Sequence, residues 1–184
     1  MIAKIALLVS DFEDGGVERN FTSLAGGLAD LGVEVHFMVG NPDHPYLKEL
    51  GQGVRIIPVV GDPTQLLRIY LPQQQPPILL TGKLSDDFAG LAVKRLLGLE
   101  TRLVAAVGTL LSGRFVAHRW NFIKTLRETR HIRQAYGQLD GITALTEHVA
   151  RDLRDYFHIC GVPIAVLNNP IIPPDLATLG AAPC

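Results

Sequence analysis

Seven short apolar runs are strung along this chain, and stretches of helical period separate most of them. The runs are Ile5–Ser10, Val33–Val39, Val54–Val60, Ile78–Leu80, Leu103–Val107, Gly141–Leu145 and Ile164–Leu167. Between the first two, Val17, Phe21, Leu24, Leu28 and Leu31 recur at spacings of four, three, four and three, one stripe of an amphipathic helix. Gly32 follows, where a helix C-terminus favours a left-handed residue. Further helices are expected over Gln65–Leu71, ended by Pro72; over Ser85–Leu97, before Gly98; and from Arg119 to Tyr136. One more follows Thr146, an N-cap residue, with Val149, Leu153 and Tyr156 or Phe157 facing inward. Strands that alternate with helices over mostly short connections call for a parallel sheet wrapped on both faces. The expected fold is therefore α/β, a three-layer sandwich with a mostly parallel sheet.

At 184 residues the chain suits one domain with a real core, and 47% of it is hydrophobic. A net charge of −1 argues against a surface that grips nucleic acid as a whole. Cys160 and Cys184 cannot build a disulfide framework or a thiolate metal site, so a reducing cytoplasm is the expected compartment. No signal peptide is expected ahead of the first strand, and no apolar run is long enough to span a membrane. The first turn after that strand lacks G-x-G-x-x-G, and neither a P-loop nor a G-x-S-x-G elbow occurs, which disfavours a dehydrogenase, a P-loop hydrolase and a serine esterase. The six histidines show no metal-ligand spacing and are expected on polar faces; no metal is expected.

Ligands of parallel sheets bind beyond the carboxyl ends of the strands. Here those positions are Asp11–Arg19, Thr81–Lys83, Gly108–Thr109, Thr146–Glu147 and Asn168–Asn169. Gly15–Gly16 opens a helix directly after a buried strand, which leaves backbone N–H groups uncovered at the positive end of the helix dipole. That arrangement suits a phosphate or another anion, whereas the alternative is a tight turn that lets the helix pack on the sheet. Arg19 either reaches the cleft or lies on the surface of the first turn. Lys83 is a candidate contact for phosphate or hydroxyl groups. Glu147 either touches a ligand or simply complements the dipole of its own helix.

With these residues in view, the chain resembles the N-terminal domain of a GT-B glycosyltransferase of the large retaining group 1 family. The resemblance rests on three segments. One is Ser10–Arg19, with its Gly-Gly-x-Glu-Arg core, followed by the helix ending Leu28-Ala29-Asp30-Leu31-Gly32-Val33-Glu34-Val35. The second is Leu139–Glu147 with Asp152-Leu153 after it, and the third is Ile164-Ala165-Val166-Leu167-Asn168-Asn169-Pro170-Ile171. The resemblance implies a Rossmann-like half of a GT-B architecture, with an acceptor-side domain over 1–170 and the start of an interdomain linker over 171–184. The donor-binding domain is expected to lie outside these residues, and the isolated chain is expected to be inactive. It further implies a nucleotide-sugar donor, a glycan or lipid-linked acceptor and no required cofactor. The implied site comprises Gly15, Gly16, Val17, Arg19, Lys83, Gly108, Thr109 and Glu147. Many members carry a histidine after the strand matching Leu103–Val107, but Gly108-Thr109-Leu110 stands there, so no catalytic residue is carried over.

Between Arg114 and Arg133 six bases face Glu128 alone, and Phe115, Trp120 and Phe122 are interleaved. This pattern suits either peripheral contact with anionic lipid, with Arg114, Arg119, Trp120, Lys124 and Arg127 as the candidate face, or a solvated helix whose aromatics turn inward. A stand-alone binding subunit that pairs with a separate catalytic partner is the alternative function, and total chain length separates the two.

Overall fold

The structure, a computed structural model, describes residues 4–113, 115 and 122–168. The seven apolar runs form seven strands, β1 Lys4–Val9, β2 Glu34–Val39, β3 Val54–Pro58, β4 Ile78–Thr81, β5 Arg102–Val107, β6 Gly141–Ala144 and β7 Ile164–Val166. They pair in the order β3-β2-β1-β4-β5-β6-β7, and every pairing is parallel. The sheet is therefore wholly parallel, a Rossmann-like α/β fold.

Among the described residues, five α-helices connect the strands: α1 Gly16–Asp30, α2 Pro63–Gln74, α3 Leu84–Leu97, α4 Phe122–Tyr136 and α5 Glu147–Arg151. Strand order runs one way from β1 to β3 and the other way from β4 to β7, so right-handed crossovers place α1 on one face and α2 to α5 on the other. The pleat sorts the strand residues accordingly. Leu7, Val9, Val35, Phe37 and Val39 pack beneath Phe21 and Ala25 of α1. Ala6, Leu8, Met38, Leu79, Leu103 and Ala105 face Leu67, Leu91, Val93, Ile132 and Leu153 on the other side.

Several local expectations change. Pro72 does not end α2; it sits in the last turn, and Gln75 stops the helix at a positive φ of 43°. Asp62 caps that helix by accepting from Thr64 N at 2.9 Å, which moves the start forward to Pro63. Leu31 falls past the end of α1 and is 81% exposed, so the inward stripe stops at Leu28. Gly32 and Gly98 take the left-handed conformation expected of them, at φ 81° and 60°. Thr146 caps α5 through Val149 N, but after Arg151 the helix loosens into a π-type turn over Asp152–Tyr156. That widened turn buries Leu153 and Phe157 and leaves Tyr156 outside. Between β2 and β3 the chain makes a 3-10 turn at Pro45–Glu49. Among the described histidines, His36 departs from the expected polar face. It is buried on β2, with Nδ1 2.7 Å from the Tyr70 hydroxyl and Nε2 3.0 Å from Glu34.

Candidate functional site

The sheet changes direction between β1 and β4, and the loops leaving these two strands bound a crevice at their carboxyl ends. Phe12, buried against Phe37, anchors the loop after β1. Ser10 begins that loop, and its N–H and hydroxyl both donate to the buried carboxylate of Asp86 in the first turn of α3. Burial pushes the Asp86 carboxyl up, while the two Ser10 bonds and Lys83 pull it down; the net direction is upward.

The helix that follows is sealed from within. Gly15 is the N-cap of α1, and the carboxylate of Glu18, three residues on, folds back beneath the loop. It accepts from Glu13 N at 3.4 Å and lies 2.7 Å from Lys83 Nζ. Burial raises the Glu18 pKa, but the hydrogen bond and charge of Lys83 and the backbone donors outweigh it, so the group sits below the usual carboxylate range. A Cβ on Gly15 would stand 2.5 Å from Glu18 Oε2, which gives that glycine a packing reason. Gly16 has none. A Cβ there meets nothing within 4 Å, and its φ is not left-handed.

Lys83 is thus already engaged. Its ammonium pairs with Glu18, donates to the Asp11 carbonyl and lies 3.7 Å from the Asp11 carboxylate. It joins the end of β4 to the loop after β1. Arg19 turns away from the crevice: it stacks 4.8 Å over the Tyr46 ring, bonds the Tyr46 hydroxyl and lies 3.8 Å from Asp14. Glu147 is exposed in the first turn of α5 and does not line the crevice.

The crevice is a cleft of about 460 Å³ that reaches Lys83, Gly108, Thr109 and, through α1, Val17. Gly108 resembles Gly16: no neighbour lies within 4 Å of a Cβ, and no positive φ demands glycine. The inner wall holds a group the sequence did not single out. Asp87 is buried, accepts from Thr81 Oγ1 at 2.5 Å and from the Tyr136 hydroxyl, and has its pKa pushed up to about 7 by burial. Its adjacency to Asp86 at a helix start was visible; its burial depends on α4 and β4 and was not. Among the described residues, no group of three His, Cys, Asp or Glu side chains could hold a metal.

Of the candidate lipid-contact face, Arg114, Arg119 and Trp120 lie outside the described residues, and Lys124 and Arg127 are exposed on α4. Phe115 is buried against Phe157 and Tyr156, as the alternative with inward-turned aromatics has it.

A family model, Glycosyltransferase Family 4, matches residues 14–173, from the glycine loop through the last strand. The chain belongs to glycosyltransferase family 4. No curated protein matches its sequence. Among solved structures, this family 4 domain is similar to a sucrose-phosphate synthase from Thermosynechococcus elongatus, with TM-score 0.71, 13% identity, and 90% of this chain covered against 48% of the other. It is also similar to Anabaena HepE in complex with UDP and glucose, with TM-score 0.61, 17% identity and coverage of 96% and 49%. The apo lipopolysaccharide outer core galactosyltransferase WaaB gives TM-score 0.60, 13% identity and coverage of 92% and 46%. The family 4 chain thus spans about half the length of these structures, and its fold matches one half of a GT-B glycosyltransferase.

Proposed function

We propose that this domain is the acceptor-side wall of a two-domain glycosyltransferase that transfers a sugar from a nucleotide-sugar donor to a glycan or lipid-linked acceptor. In this reading residues 1–170 form the wall, and residues 171–184 lead towards the domain that holds most of the nucleotide. The protein works on the cytoplasmic side and needs no metal.

The observation that carries the reading is the pair Gly16 and Gly108. Gly16 opens α1 and Gly108 follows β5, both at the carboxyl edge of the sheet, and neither packing nor φ requires glycine at either place. A ligand approaching the backbone closely would supply the missing reason. The family match and the Anabaena structure with UDP and glucose make a nucleotide sugar the natural ligand. As the donor breaks, negative charge collects on the departing diphosphate. The first N–H groups of α1, at Gly16 and Val17, would meet that charge with no reorganisation. Lys83 holds the loop in place through Glu18 and Asp11, and Gly108 with Thr109 forms the facing lip where the acceptor hydroxyl enters. Both walls are needed to position the reactants, so the single domain is inactive alone.

The test is a donor screen on the full-length protein, reading sugar transfer or donor hydrolysis with UDP-glucose and a panel of other nucleotide sugars. At least one donor turns over, and Gly108→Ala lowers kcat/KM tenfold or more without lowering Tm. A folded full-length protein that neither binds nor turns over any nucleotide sugar overturns the reading.

A further inference from the structure

We propose that Asp152 is a positioning residue, which sets where Gly108 and Thr109 stand at the mouth of the cleft. The inference rests on the transferase reading above, in which those two residues form the lip that admits the acceptor hydroxyl.

The lip has no footing of its own. Gly108, Thr109 and Leu110 are all exposed, and a Cβ on Gly108 would meet nothing within 4 Å. Its place is therefore set by its two ends. At one end Val107 closes β5, and its carbonyl accepts from Leu145 N–H at 3.0 Å. At the other, Leu111 is buried in the wall of the cleft, and Ser112 N–H donates to Asp152 Oδ2 at 3.1 Å. Gly113 N–H closes the turn on the Leu110 carbonyl at 3.2 Å. Backbone N–H bonds to carboxylates are roughly twice as strong as neutral ones, so Asp152 is a firm anchor for the far end.

The widened turn after α5 puts that carboxylate in place. Phe157 N–H donates to the Asp152 carbonyl at 3.2 Å, five residues back. An α-helix, with about 3.6 residues per turn, carries a residue five places on about 140° round the axis. The wider turn returns Phe157 towards the side that carries Asp152. The rings of Tyr156 and Phe157 then receive Phe115, with centroids 6.3 and 6.2 Å away, while the carboxylate holds Ser112. One short segment thus grips the loop at two places. Turns of this type are rare and recur at functional sites.

The glycine loop after β1 is held in the same manner, since Asp86 of α3 accepts from Ser10 N–H at 3.1 Å. Each loop leans on a carboxylate from a helix that follows a different strand. Asp152 itself does not line the cleft, so it acts through the loop and not on the ligand.

The experiment compares wild type, D152A and D152N as full-length proteins, using a nucleotide sugar that the wild type turns over. D152A is expected to lower kcat about tenfold, because small misplacements of a positioning group are costly, while donor KM stays within roughly twofold. D152N keeps an oxygen for the Ser112 N–H and regains most of the rate. Amide hydrogen exchange on the same samples is expected to quicken at residues 110–113 in D152A and to hold at residues 102–107 of β5. Asp62→Ala removes the cap of α2, outside the cleft, and serves as the stability control with kcat unchanged. Unaltered exchange at residues 110–113, a D152N as slow as D152A, or an equal loss of kcat in D62A overturns the proposal. Wild-type turnover with an unimpaired D152A overturns it alone; a wild type that turns over no nucleotide sugar overturns the transferase reading and this proposal together.

Discussion

Lys83 Nζ lies 2.7 Å from Glu18 Oε1, and this contact ties the end of β4 to the first turn of α1 across the switch point of the sheet. The Glu18 side chain is only 4% exposed, so its charge depends on that partner. Lys83→Met leaves a buried carboxylate without its cation and is expected to cost about 3 kcal/mol. Glu18→Gln alone costs about 1–3 kcal/mol. The double variant recovers part of the sum, because neither charge is then stranded. A double-mutant cycle by urea unfolding measures the coupling; additive losses would show that the two side chains act independently.

The alternation of strands and helices was legible because each element carries its own period; the seven strands and the five helices of the described residues come in the expected order, although α2 starts earlier and runs past Pro72. The glycine loop was legible too, as a place. Its internal closure was not. Glu18 reads as an ordinary acid favouring a helix N-terminus, and only the arrival of Lys83 from a strand sixty-odd residues away makes it a buried partner. Arg19 sits one residue on and could turn either way; Tyr46, on a turn the sequence did not announce, draws it outward. Asp87 and His36 share the same lesson. Each is a polar residue in an apolar setting with partners from other elements, Thr81 and Tyr136 for Asp87 and Tyr70 for His36, whose second partner Glu34 lies two residues back on the same strand.

Asp87 gives stability a pH dependence of unusual sign. Its pKa is pushed from 3.8 up to about 7 on folding, so the native chain holds that proton more tightly than the unfolded one. The contribution is complete below the unfolded pKa and is lost as pH rises towards 7, at up to about 1.4 kcal/mol per pH unit. Asp87→Asn removes that slope. Urea midpoints between pH 4 and 8 check it, and identical profiles for the two proteins would count against a buried, protonatable Asp87.

His36 works in the opposite direction. Burial, aided by Lys4, lowers its pKa from 6.5, against the pull of Glu34. The unfolded chain therefore takes up the proton first, and stability is lost as pH falls below 6.5. His36→Gln is expected to reduce this acid loss while lowering stability at pH 8, where the packed imidazole is neutral. Thermal melts at pH 5 and pH 8 separate the two effects.

The cap of α5 is a local test. Thr146 Oγ1 accepts from Val149 N at 3.2 Å, and the helix has only five residues before it widens. Thr146→Ala is expected to cost about 1 kcal/mol. Thr146→Ser retains the acceptor and most of the stability, which equilibrium unfolding of the three proteins resolves.

The most direct measurement is Gly16→Ala in the full-length protein, with stability and transfer read on one preparation. The backbone at Gly16 is helical and a Cβ meets open space, so Tm is expected to hold or rise slightly, with up to about 1 kcal/mol gained from a less flexible unfolded chain. If a donor diphosphate approaches this backbone, kcat/KM falls tenfold or more in the same variant. Unchanged transfer with unchanged Tm would mean that nothing comes close to Gly16, and the anion-binding account of the glycine loop would be wrong.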